Sequence, residues 1–259
     1  MISPGFPMPH PRFVVLGLVA AAAMLAYGFA PIQSTDGRLG FSPHSPRDSV
    51  RTGLTPLGLG TERDGFLFVP RNNSARSPAP LVIMLHGATQ RARMFERMAA
   101  VADTLGVVIL APDSREVTWD IIAGGGFGPD IEFLDRAIGR AFDRAFIDSC
   151  RVVIGGFSDG ASYALSLGIR NARRLHGVLA FSPGFLARTR SPERLPIFVR
   201  HGTSDPILKI DRASRPLVRM LRDAGYAVDY EEFDGRHTMR PVDARAGLSW
   251  AAKRKCGSE

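Results

Sequence analysis

Val152-Val153-Ile154-Gly155-Gly156-Phe157-Ser158-Asp159-Gly160-Ala161-Ser162-Tyr163-Ala164 runs from β-branched residues through glycines to a serine and on into helix formers. β-Branched residues favour a strand, and the run from Ala161 favours a helix. Ser158 is therefore expected at the apex of a sharp strand-to-helix turn. Gly156 and Gly160 flank it in the G-x-S-x-G spacing, in which a strained turn lifts a serine hydroxyl above a sheet as a nucleophile. Only small residues fit at the two flanking positions, because side chains there would collide where strand and helix cross closely. With 27 glycines and 18 serines, chance supplies roughly 0.2 such matches in a chain like this. The weight of the pattern rests on whether the rest of the chain supplies a base, an acid and main-chain donors.

Outward from this stretch, short apolar runs alternate with helical patterns. Strands are predicted over Phe66 to Pro70, Leu81 to Leu85, Val107 to Ala111, 151 to 155, Gly177 to Phe181, Ile197 to Arg200 and Val228 to Phe233. Helices are predicted around Arg93 to Leu105, over Asp130 to Phe146, from Ala161, around Arg212 to Ala224 and over Val242 to Ala252. In the second of these, Ile131, Leu134, Ile138 and Phe142 repeat at three- and four-residue spacing. Continuous apolar strands between helices are those of a mostly parallel sheet buried on both faces. The fold class is α/β, a doubly wound sheet.

The 259 residues, 45% hydrophobic and 22% charged, suit one large domain. The net charge of +8 comes from Lys and Arg scattered along the chain, which describes a solvated basic surface, with no stripe for nucleic acid. There is no Walker A sequence and no H-E-x-x-H, and the glycine run 124–128 lacks the G-x-G-x-x-G spacing. No metal and no cofactor are expected. Phe13 to Ala30 carries no charge and follows Arg12, so residues 1–30 read as a signal peptide or an N-terminal membrane anchor. The chain is expected to be exported, periplasmic or extracellular, with membrane association possible through residues 13–30. Residues 31–55, rich in Pro, Ser, Gly and Arg, read as a flexible linker with no core of their own, and 56–259 as the catalytic domain. Cys150 and Cys256 have no C-x-x-C spacing; they either pair outside the cytosol or stay as thiols.

In open α/β sheets ligands bind beyond the carboxyl ends of the strands. Leu85-His86-Gly87-Ala88, Ser158, His201-Gly202-Thr203-Ser204-Asp205 and Gly235-Arg236-His237 all sit there. Ser158, Asp205 and His237 give the order nucleophile, acid, base. His86 and His201 rival His237, but both precede Asp205 and open His-Gly corners; Asp211 and Asp234 rival Asp205, one placed in a helix and the other too near His237 in sequence. The N–H groups of Ala88 and Asp159 are the expected oxyanion donors. Trp119 and Phe127, on the loop 114–129, are candidate pocket walls, with ordinary core the alternative for Trp119.

Arg63 to Pro70, Leu85-His86-Gly87, Ala111 to Arg115, Thr118-Trp119-Asp120, Gly156 to Gly160 and His201-Gly202 with Asp205 together resemble the phospholipase/carboxylesterase branch of the α/β-hydrolases. They are also similar to exported polyhydroxybutyrate depolymerase and feruloyl esterase relatives. The resemblance covers residues 57 to 252 and implies the same triad and oxyanion donors. It implies hydrolysis of a small-molecule or polymeric ester without a large lid insertion. Arg236 beside His237 departs from the family pattern, in which a small residue or proline is expected. Serine peptidase, thioesterase and a non-catalytic envelope-binding module are the alternatives on the same fold.

Overall fold

The structure, a computed structural model, describes residues 36–124, 126–187 and 191–255. Among these residues eight strands form one sheet: β1 Gly53–Pro56, β2 Gly65–Val69, β3 Ala79–Leu85, β4 Val108–Pro112, β5 Ile147–Phe157, β6 Val178–Phe181, β7 Ile197–Gly202 and β8 Val228–Phe233. Their order across the sheet is β1-β2-β4-β3-β5-β6-β7-β8. β2 pairs antiparallel with β1 and β4, and all the remaining pairs are parallel. β3 and β4 are buried at every residue, which is why they appear as unbroken apolar runs. Leu81, Ile83 and Leu85 face one layer, Val82 and Met84 the other, as strand alternation requires.

Among the described residues there are six helices: α1 Ala99–Leu105, α2 Asp120–Ala123, α3 Pro129–Arg144, α4 Asp159–Arg170, α5 Ser214–Asp223 and α6 Pro241–Ala252. Ile131, Leu134, Ile138 and Phe142 of α3 and most of α4 belong to one core layer, and Leu248 and Ala251 of α6 to the other. The predicted strand bounds hold within a few residues. The helix expected from Arg93 begins instead as a 3-10 segment, Ala92–Met98, that passes into α1. β1, the single turn α2 and a 3-10 turn at Ile210–Arg212 are too short for the apolar periodicity to mark.

The stretch expected to be a linker is corrected by the structure over its described part. Leu39 and Phe41 are 3% and 6% exposed and belong to the core. The Asn171 side chain receives the Leu39 N–H at 2.8 Å and donates to the Gly37 carbonyl at 2.9 Å, while Asp135 receives the Gly40 N–H at 2.8 Å. Two apolar residues in a polar, proline-rich run are too few to mark a segment. What holds it is a set of partners some 95 to 134 positions away, invisible to any local pattern. The expected leader, residues 1–30, and Cys256 lie outside the described residues. Among the described residues, no helix is long and apolar enough to cross a membrane.

Candidate active site

The turn between β5 and α4 places Ser158 at φ 57°, ψ −119°, a region that costs a non-glycine residue on the order of 1–3 kcal/mol. The turn is held from both sides. Ser158 N–H donates to the Phe181 carbonyl at 2.9 Å, and the Ser158 carbonyl accepts from Ala161 and Ser162 N–H at 3.0 and 3.1 Å. A Cβ added at Gly156 would lie 2.6 Å from the Leu85 carbonyl oxygen, and one at Gly160 2.5 Å from that of His86. The spacing seen in the sequence is thus a steric requirement of the β3–β5–α4 crossing.

β7 and β8 bring the other two predicted residues to the same sheet end. His237 Nε2 is 2.9 Å from Ser158 Oγ and Nδ1 is 2.6 Å from Asp205 Oδ2. The Asp205 side chain is fully buried. Burial alone would raise its carboxyl, but His237 and the Leu208 and Ile207 N–H groups outweigh it and hold Asp205 below the ordinary carboxylate range.

His201 was rejected as base, and its placement explains its presence. Its Nε2 is 2.9 Å from the Leu208 carbonyl and 3.1 Å from Asp205 Oδ2, and its Nδ1 2.6 Å from Ser214 Oγ. A carbonyl can only accept, so Nε2 carries the proton and Nδ1 accepts from Ser214. Burial lowers the pKa of this imidazole, which keeps it neutral. Asp205 Oδ2 therefore lies beside two imidazole N–H groups. Asp211, the rejected acid, pairs with Arg215 at 2.6 Å.

Neither the Ala88 nor the Asp159 N–H has a hydrogen-bond partner among the described residues. Both flank Ser158, one after the His86-Gly87 corner and one at the start of α4. His86 braces that corner: its Nδ1–H donates to the Gly87 carbonyl at 2.8 Å and its Nε2 accepts from Ser114 N–H at 3.0 Å. Gln90 Oε1, three residues beyond Gly87, accepts the Gly87 N–H at 3.2 Å.

Trp119 and Phe127 are not pocket walls. Trp119 is fully buried, stacks on Tyr163 at 5.3 Å and donates from its indole to the His86 carbonyl at 2.8 Å. Phe127 is 7% exposed and packs edge-on against Tyr163 at 5.8 Å. Their apolar bulk suited a pocket and a core equally; the indole N–H found its partner inside, behind the corner. The exposed apolar side chains at this end are instead Val117, Phe185 and Ile207, which follow β4, β6 and β7.

Sequence reasoning also missed a carboxylate clasp. Asp130 Oδ2 accepts Asp120 N–H at 2.8 Å and Asp120 Oδ2 accepts Asp130 N–H at 3.0 Å, so each caps the other's helix. Asp130 Oδ1 also takes the Arg115 N–H at 2.7 Å. Burial, with the neighbouring Asp120 charge, pushes Asp130 up to about 7, and burial raises Asp120 as well. Two aspartates ten residues apart in a helix-start pattern were the available signal.

The strand order, with Ser158, Asp205 and His237 beyond the carboxyl ends of parallel strands, is that of the α/β-hydrolase fold. Residues 125–242 match the phospholipase/carboxylesterase family model, and that span holds Ser158, Asp205 and His237. The matched span is 118 of the 259 residues, a little under half of the chain. It is 27% identical over 155 residues to the bifunctional acetylxylan esterase/xylanase XynS20E of Neocallimastix patriciarum, covering 58% of this chain and 22% of that protein. It is 32% identical over 100 residues to acyl-protein thioesterase 1 of Neurospora crassa, covering 34% of this chain and 40% of that protein. The chain thus spans well under half the length of these curated relatives. The S-formylglutathione hydrolase FrmB of Staphylococcus aureus shares the fold with TM-score 0.63 and 12% identity, over 83% of this chain and 100% of that one.

Proposed function

We propose that the chain is a serine esterase that hydrolyses accessible carboxylic esters through an acyl-enzyme. The observation that carries this is the single imidazole of His237 bridging Ser158 Oγ and Asp205 Oδ2 at 2.9 and 2.6 Å. His237 takes the Ser158 proton as Ser158 attacks the ester carbonyl. The oxyanion lies on the N–H groups of Ala88 and Asp159, whose lack of a partner among the described residues supports this role. His237 then protonates the leaving alcohol, and water repeats the sequence on the acyl-enzyme while Asp205 holds the imidazole tautomer. Val117, Phe185 and Ile207, exposed on three loops at the strand ends, favour esters with an apolar acyl or alcohol part. Between β6 and β7 the described residues 183–187 and 191–196 contain no helix, in keeping with an open site and an accessible or polymeric substrate.

Hydrolysis of p-nitrophenyl acetate and butyrate is expected for the wild type and is expected to vanish in Ser158→Ala; activity that survives the substitution would sink the assignment. A thioesterase reading is favoured by the alignment to a protein named acyl-protein thioesterase 1, and matched ester and thioester substrates separate the two. Labelling by a fluorophosphonate separates either from a non-catalytic envelope-binding module. The uncharged run Phe13 to Ala30 after Arg12 supports export, with residues 1–30 as signal peptide or anchor. The N-terminal mass of the protein recovered from a cell envelope and from the medium tests that part.

A further inference from the structure

Residues 117–119 touch, one after another, the two segments on which the oxyanion donors sit. The Val117 carbonyl accepts the Thr89 N–H at 2.7 Å, directly beside Ala88. Thr118 Oγ1 donates to Asp159 Oδ2 at 2.6 Å. The Trp119 indole donates to the His86 carbonyl at 2.8 Å. Thr118 is 8% exposed and Trp119 fully buried, so these bonds are shielded from water. The strap is itself pinned at both ends to one carboxylate, since Asp130 receives the N–H groups of Arg115 and Asp120.

The donors need this help for two reasons. Thr89 has φ 61°, a conformation a β-branched residue avoids, so the turn that aims the Ala88 N–H is held open against its own preference. Asp159 carries a carboxylate on the very residue whose N–H faces the oxyanion. Left to swing, that charge would oppose a developing negative oxygen. The Thr118 hydroxyl ties it to the strap.

We propose that Val117-Thr118-Trp119 is a positioning strap for the oxyanion hole, acting on both donors through Thr89, Asp159 and His86 without touching the substrate. This rests on the serine esterase reading above. Its motif, Thr118-Trp119-Asp120, marked the family resemblance, and the mechanism gives it no other role.

The test compares the full chain with Thr118→Val, which keeps the shape and removes the donor, and Thr118→Ser, which restores it. On p-nitrophenyl butyrate, Thr118→Val is expected to lose about tenfold in kcat, the worth of one hydrogen bond to a charged group, with KM within about twofold. Affinity for phenylboronic acid, whose tetrahedral adduct with Ser158 occupies the same hole, should fall by a similar factor. Thr118→Ser should recover both. Trp119→Phe, which keeps an aromatic ring of smaller size and removes the N–H, should show the same split and stands in if Thr118→Val does not fold. Unchanged kcat in both variants overturns the strap. So does loss of kcat that Thr118→Ser fails to restore. If the wild type neither hydrolyses the ester nor reacts with a fluorophosphonate, the esterase reading itself has failed, and that is seen before any strap variant is made.

Discussion

The Asp120–Asp130 clasp gives this protein an unusual pH signature. Asp130 is 2% exposed, and its carboxyl is pushed up from the usual 3.8 to about 7 by burial, then by the Asp120 charge, against the N–H groups of Arg115 and Asp120 and the Arg115 charge. A carboxyl with a folded pKa above its unfolded one holds its proton more tightly in the fold. Its contribution is unpenalised below about pH 4, where both states are protonated. It declines as pH rises, and the full penalty is present above about 7. A displacement of about three pH units at about 1.4 kcal/mol each is on the order of 4 kcal/mol. Asp120 titrates with it, so the swing belongs to the pair.

Asp130→Asn removes the ionisation and loses one of the two N–H partners, the latter a cost that does not vary with pH. The wild type minus Asp130→Asn difference in unfolding free energy should therefore fall, by a few kcal/mol, between pH 4.5 and 7.5. Urea unfolding of both proteins across that range at constant ionic strength measures it. Taking the difference cancels the ordinary carboxylates, such as Asp205, whose depressed values make stability rise with pH. A difference that is flat, or that rises with pH, refutes the reasoning.

His201→Phe should leave Asp205 with one imidazole partner and strand the Ser214 hydroxyl and Leu208 carbonyl in the interior. Urea unfolding should show a loss of about 1–3 kcal/mol, and the acid limb of the kcat/KM profile should move to higher pH; an unmoved limb would leave His201 with a purely structural role. Phe41→Ala, which removes a ring stacked on Phe142 at 6.1 Å, should cost about 3 kcal/mol by thermal or urea unfolding, where a true linker residue would cost nothing.

The parts of this molecule that were legible beforehand are those whose requirement is local. Gly156, Ser158 and Gly160 show their steric need within five positions, and β3 and β4 show their double burial as unbroken apolar runs. The order Ser158, Asp205, His237 was readable because each ends a strand whose loop must face the same side. The linker reading of residues 36–41 fails, and the choice between pocket and core for Trp119 stays open in the sequence, for the opposite reason. Leu39 is held by an amide 132 positions away, and Trp119 donates to a carbonyl 33 positions away. Composition describes such residues as linker or as pocket with equal ease. The clasp fell between: its residues are close in sequence, but its significance lies in burial, which the pattern of charges does not show.

The clasp also bears on when activity arises during folding. Its partners are ten residues apart, whereas His237 must meet Asp205 across 32 and Ser158 across 79. Closing a long loop costs more entropy than closing a short one, so the strap's anchor can form early from its own neighbourhood, while the nucleophile meets its base only once β5 and β8 are both in place. A partly folded chain would carry the clasp alone, since Thr118 meets Asp159 across 41 positions and His237 meets Ser158 across 79, so the strap and the serine–histidine pair are both completed by the long-range packing of the sheet.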